Sequence, residues 1–231
     1  MMALNKIGAI AILASNQLQE HDFEYRYNSA GVKAIVCTAD GDTYTYAESA
    51  AKKCPQVERL VMVGGAKEGW RDFDVEYQRF SAHYYRSENT SCGDDTALMF
   101  FTSGTTGTSK CVMLCQKNIF AAVRSAIQSV CFTPDDVLVS VLPVHHTYEL
   151  MCTIAGSCYG MQFCACTSLR HVMKDFKEYR PTGLTLVPLF VTTMYKRIMS
   201  EAKNSGKDKM LGIAATAGRS AEEIAAARSN G

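Results

Sequence analysis

Short apolar runs alternate with polar, helix-forming stretches along the whole chain. Ile7 to Leu13 (IGAIAIL) reads as a buried strand and Gln19 to Ser29 as a polar helix. Lys33 to Cys37 (KAIVC) predicts a second strand. Asp42 to Lys53, with its Ala, Glu and Lys, predicts a helix, and Arg59 to Val63 (RLVMV) a third strand that ends in the Gly64-Gly65 turn. The order β-α-β-α-β implies parallel pairing through right-handed crossovers.

Residues 66–95 are polar and irregular, with Trp70-Arg71-Asp72-Phe73-Asp74 and a string of tyrosines, and predict a connector anchored by its aromatics. The alternation resumes at strand Ala97 to Phe101. A helix follows from Gln116 to Phe132, where Ile119, Phe120, Val123, Ile127 and Val130 recur at helical spacing and predict one buried face. Strand Val137 to Leu142, a histidine-bearing loop, an apolar helix to Gly160 and strand Gln162 to Cys166 come next. Helix Leu169 to Tyr179 is stopped by Pro181, strand Leu184 to Val187 follows, and Pro188 suits the first turn of a helix to Lys203. Leu211 to Thr216 predicts a last strand, and Ser220-Ala221-Glu222-Glu223 a capping box for a final helix. The expected fold class is α/β, with mainly parallel sheets and flanking helices.

Composition narrows the partners more than the fold. The chain has 231 residues, 47% hydrophobic and 20% charged, an ordinary globular balance. Its net charge of +1, from 24 basic and 23 acidic residues without a like-charged run, gives no reason to expect nucleic acid or an anionic membrane surface. No apolar run approaches the ~18 residues of a membrane span, and the first residues lack a signal-peptide layout, so the expected location is cytoplasmic. Most of the ten cysteines sit in apolar runs such as Phe163-Cys164-Ala165-Cys166 and read as reduced, buried small hydrophobes. A zinc site built from Cys152, Cys158, His145 and His146 is the sharper alternative, but no CxxC pair supports it and no metal is expected.

The chemically informative segment is Thr102-Ser103-Gly104-Thr105-Thr106-Gly107-Thr108-Ser109-Lys110, between an apolar strand and an amphipathic helix. Glycines let backbone amides converge on a ligand, hydroxyls donate further bonds, and a lysine supplies positive charge: a donor set suited to polyphosphate. Gly104 and Gly107 are two residues apart and Lys110 follows no glycine, so this is not the Walker pattern. A flexible surface linker has similar composition; the position between buried elements speaks against it.

This segment resembles the signature loop of the adenylate-forming superfamily, AMP-forming acyl-CoA synthetases among them. The resemblance implies ATP contacts at Thr102, Ser103, Gly104, Thr105, Thr106, Gly107 and Lys110. The family usually has glycine where Cys111 stands, serine at Cys115 and histidine at Gln116, while Asn118 keeps the pattern; a cysteine at 111 is awkward if that position needs a positive φ. Two histidines in a loop are more often structural than catalytic. However, Leu142-Pro143-Val144-His145-His146-Thr147-Tyr148-Glu149 is similar to the family's Leu-Pro-x-x-His segment, which places His146 at the acyl pocket as the catalytic candidate. The wording of this segment and of Pro181 to Tyr195 looks most like long-chain fatty acyl-CoA ligases, whereas Gly8 to Val36 and Gly69 to Asp74 look more like medium-chain or aryl synthetases.

The resemblance implies a carboxylic acid, in particular a fatty acid, as substrate, with ATP, magnesium and CoA as cofactors. The last two are expected to need residues outside this chain. The family's acidic Tyr-Gly-x-Thr-Glu motif, ribose-binding aspartate and C-terminal lysine have no counterpart in residues 1–231. The chain is therefore expected to be part of the large N-terminal domain without the C-terminal lid, completed by the missing remainder or associating through exposed sheet edges. A catalytically inactive nucleotide- or acyl-binding module is the alternative.

Overall fold

The computed structural model describes residues 1–86, 88, 90–102, 109–130, 132–166 and 171–206. The strand expected at 211–216 and the final helix lie outside them. In chain order the elements are α1 (Met2–Lys6), β1 (Ala11–Ile12), α2 (Glu20–Ala30), β2 (Ala34–Thr38), α3 (Thr43–Lys52), β3 (Arg59–Val63), β4 (Arg71–Asp72), α4 (Phe73–Glu76), a 3-10 turn (Tyr77–Arg79) and β5 (Thr96–Thr102). Then come β6 (Lys110–Cys115), α5 (Gln116–Ser129), β7 (Val137–Ser140), α6 (Thr147–Tyr159), β8 (Gln162–Ala165), α7 (Val172–Tyr179), β9 (Gly183–Leu184) and α8 (Pro188–Asn204).

Three small sheets result, ordered β1-β5-β6, β2-β3-β4 and β8-β7-β9. Every pair is parallel except β5–β6. The fold is thus α/β with mainly parallel sheets, as the strand-helix alternation predicts. α2 opens with a capping box, the Gln19 amide donating to the Asp22 carboxylate at 3.1 Å, and α6 closes at Gly160 in the left-handed region, φ 73°.

The differences from expectation have local causes. The strand expected over Ile7 to Leu13 is reduced to Ala11–Ile12, because the chain before it coils into α1 and Gly8 turns at φ 75°, leaving Ile7 70% exposed. The strand expected from Val137 to Leu142 ends at Ser140, ahead of Pro143. The connector contains β4 and α4, the latter started by Asp72, whose carboxylate accepts from the Val75 amide at 3.1 Å. β6 was not expected at all. On α5, Ile119, Val123 and Ile127 face inward, but Phe120 is 67% exposed and Val130 lies outside the helix; an i, i+4, i+8 stripe excludes the residue about 100° around from it.

Two cores form. Phe23, Tyr27, Ile35, Ala47, Ala50, Cys54, Met62 and Trp70 pack α2 and α3 on the β2-β3-β4 sheet, with Trp70 drawing the connector in. Ala11, Leu98, Phe100, Val123, Leu150 and Ile154 join β1 and β5 to α5 and α6. The nine described cysteines are free thiols, but Cys92, Cys111 and Cys158 are exposed, contrary to the expectation of general burial; Cys111 lies in the first part of β6, where residues 110–113 are all exposed, and Cys158 lies near the end of α6, whose buried residues are Glu149, Leu150, Ile154 and Gly156. Among the described residues no helix is long and apolar enough to cross a membrane.

Candidate active site

β5 carries the chain from the second core to the Thr/Ser/Gly segment. Leu98 and Phe100 are buried and Thr102 emerges exposed at the strand end. β6 returns antiparallel, with Thr102 opposite Lys110 and Phe101 opposite Cys111. The two ends of the segment are therefore held side by side by a ladder. Of the expected ATP contacts, Thr102 and Lys110 are described and brought together; Ser103, Gly104, Thr105, Thr106 and Gly107 lie outside the described residues. Cys111 occupies an ordinary strand position, and among the described residues Arg180 is the one non-glycine with positive φ. Cysteine at 111 is thus accommodated. Cys115 precedes α5 as its cap, its amide donating to the Asn118 side-chain oxygen at 3.0 Å, so the familiar Asn118 has a structural task.

Helix α2 flanks this strand end, which no local sequence pattern announces. The Tyr25 hydroxyl donates to the Ser109 carbonyl at 2.7 Å, and its ring meets Phe101 edge-on with centroids 6.1 Å apart. The Arg26 guanidinium lies over the Phe101 ring, 5.0 Å from its centroid. Burial pulls Arg26 below its ordinary pKa, partly offset by Asp22.

The histidine loop leaves β7 and feeds α6. Here the His146 amide donates to the Pro143 carbonyl at 3.0 Å, and His146 stands at the N-cap. The two rings are 4.4 Å apart. His145 is half-buried, while His146 is exposed. Burial, then His146, then Arg26 hold the His145 pKa below the ordinary histidine value, so its neutral form is favoured in the fold. His145 is therefore expected to titrate by NMR below ~6.5. Its contribution to stability is present above that value and is lost as pH falls toward the folded pKa. Arg26→Gln is expected to move the titration upward; an unmoved curve would remove the guanidinium as a cause.

Behind the loop lies Glu149, completely buried in the first turn of α6. The Ser140 hydroxyl at the end of β7 donates to one carboxylate oxygen, and the Thr185 hydroxyl just beyond β9 donates to the other at 2.6 Å. The carboxylate ties two strands to the helix that follows the histidines. Among the described residues no three His, Cys, Asp or Glu side chains gather to hold a metal ion, the histidine-cysteine set included.

A strand-hairpin presenting a Thr/Ser/Gly segment, flanked by a cation-bearing helix and a histidine loop, can be compared with known proteins. The family model described as AMP-binding enzyme matches residues 1–227. The peroxisomal long chain acyl-CoA synthetase 7 of Arabidopsis thaliana is 33% identical over 193 residues, covering 78% of this chain and 27% of its own length. Human long-chain-fatty-acid–CoA ligase 1 is 33% identical over 126 residues, 52% of this chain and 18% of that protein. This chain thus spans less than a third of either relative. Among solved structures, a long-chain-fatty-acid-CoA ligase from Archaeoglobus fulgidus superposes with a TM-score of 0.75 at 20% identity, covering 86% of this chain and 39% of that one, a likeness of fold. The match across 227 residues leads to one assignment: the chain belongs to the AMP-binding enzyme family.

Proposed function

We propose that this chain is part of an enzyme that activates a fatty acid with ATP to acyl-AMP and then to the CoA thioester. The observation that supports it most is the hairpin that sets Lys110 opposite Thr102 at the two ends of a glycine- and hydroxyl-rich segment. In this reading a carboxylate oxygen attacks the α-phosphorus of ATP and the bond to pyrophosphate breaks; the CoA thiol then attacks the acyl carbon and AMP leaves. The chain's own share is to hold the pyrophosphate end. The Thr102 hydroxyl donates, Lys110 balances charge, and residues 103–107 supply amides and hydroxyls; His146 stands at the acyl side. Such groups work by positioning and by fixed electrostatic stabilisation.

Magnesium would neutralise phosphate charge, and CoA would bring the thiol; the residues that hold both are proposed to lie outside residues 1–231, as does a C-terminal lid. By itself the chain is proposed to bind phosphates without completing the reaction. Residues 66–95 serve as the connector between the two cores.

Calorimetry with pyrophosphate tests the reading. Binding is expected, weakened roughly tenfold or more in Lys110→Ala, since hydrogen bonds to charged groups contribute about 1.5–3 kcal/mol. Equal affinity in the variant would show that Lys110 is no phosphate ligand, and acyl-CoA formation by the chain alone would overturn the assignment of the missing chemistry.

A further inference from the structure

We propose that Arg26 is a second cationic ligand for the polyphosphate, held on α2 against the strand end from which the Thr/Ser/Gly segment departs. The inference rests on the phosphate-binding reading above and adds to it a residue from a separate part of the chain. Side chains alternate faces along a strand, so Phe101, with Arg26 over its ring, occupies one face of the hairpin, while Lys110, level with Thr102, occupies the other. The two cations thus belong to opposite faces of the hairpin at the end of β5.

Three features single out Arg26. First, its guanidinium is partly withdrawn from water, yet among the described residues it forms no ion pair and no hydrogen bond, whereas Arg71 pairs with Glu76, Arg197 with Glu201 and Lys53 with Glu20 and Glu24. Its place over the Phe101 ring, 5.0 Å from the centroid, uses none of its N–H groups, which are left for a ligand; arginine can grip phosphate through two such bonds. Second, the neighbouring Tyr25 hydroxyl holds the Ser109 carbonyl, so α2 is fixed in register against the exit of the segment and Arg26 is positioned before any ligand arrives. Third, Arg26 lies within electrostatic reach of His145; Asp22, one turn back on α2, acts on Arg26 as well but forms no ion pair with it, and the two basic groups gain from an anion near them.

The anion could also be the carboxylate of the acyl substrate. The seat on Phe101, one residue before Thr102, favours phosphate, and the experiment separates the two. Pyrophosphate and, in a parallel titration, octanoate are added to the full chain, to Arg26→Gln and to Arg26→Lys, after circular dichroism has confirmed matching folds. Arg26→Gln is expected to weaken pyrophosphate at least tenfold, with partial recovery in Arg26→Lys and no change for octanoate. Pyrophosphate is also expected to raise the His145 titration in the unmodified chain, a readout that needs no variant.

Pyrophosphate binding unchanged in Arg26→Gln would overturn the inference and leave the phosphate reading standing, as would an effect confined to octanoate or an unshifted His145. Absence of pyrophosphate binding by the unmodified chain would instead remove the phosphate reading, and this inference with it.

Discussion

Replacing Glu149 by alanine is expected to cost about 3 kcal/mol of folding stability, read as a fall in the urea midpoint at unchanged slope. The side chain is fully buried, and its two oxygens are the acceptors for the Ser140 and Thr185 hydroxyls. Alanine leaves both hydroxyls without that acceptor, and a buried unsatisfied polar group costs about 1–3 kcal/mol. It also removes a negative group from the first turn of α6, where the helix dipole contributes about 0.3–1 kcal/mol. Opposing this, the alanine variant no longer has to desolvate a carboxylate. Glutamine keeps the shape and can still serve both hydroxyls, because a hydroxyl accepts as well as donates; its loss should stay near 1 kcal/mol. An alanine variant within about 0.5 kcal/mol of the parent would mean that desolvation cancels the bonds and that the tie between strands and helix is energetically empty.

Leu98→Ala is expected to lose a similar or larger amount, about 3–4 kcal/mol. Leu98 is fully buried in the middle of β5, paired with Ala11 on one side and Leu114 on the other, and packed with Phe100, Val123, Leu150 and Ile154. Neighbours held on two sides by ladders cannot close the space that the lost methyls leave, so the cavity persists. Phe120→Ala is the matched control. It removes more carbon from a helix packed on the same core, but that ring is 67% exposed, and the change should stay within about 0.5 kcal/mol. Equal losses in the two variants would show that burial in this core does not govern its stability.

How much of this was readable in the sequence depends on the range of the interaction involved. Arg59–Val63 was legible as a strand to the residue because an apolar run ends abruptly in two glycines. The helices α2, α3 and α8 were placed within about a residue or two for the same reason: caps and breakers are local signals. β6 was missed because Lys110–Cys115 is a short apolar run wedged between a glycine-rich segment and a helix start, where it reads as a lead-in; only the antiparallel partner β5 makes it a strand. In the site, Thr102 and Lys110 were visible as members of one motif. Arg26 and Tyr25 were not, since their partners Phe101 and Ser109 stand in a distant part of the chain and polar helix residues look alike before folding. Glu149 hid for a related reason. A glutamate beside two histidines suggests a solvated loop, and its burial becomes sensible only once Ser140 and Thr185 arrive from two strands.

The pairing of β1 with β5 also orders events during synthesis. Ala11 and Ile12 find their partners only at Leu98 and Met99, after the whole β2-β3-β4 sheet with its two helices has been made. That inner unit has all its sheet partners between Ala34 and Asp72, so it can consolidate as soon as it leaves the ribosome. Its folding also brings the flanking strands closer, shortening the loop that β1–β5 closure must otherwise pay for in entropy. The hairpin of β5 and β6 is then the later event, assembled against a helix that is already in place to receive it.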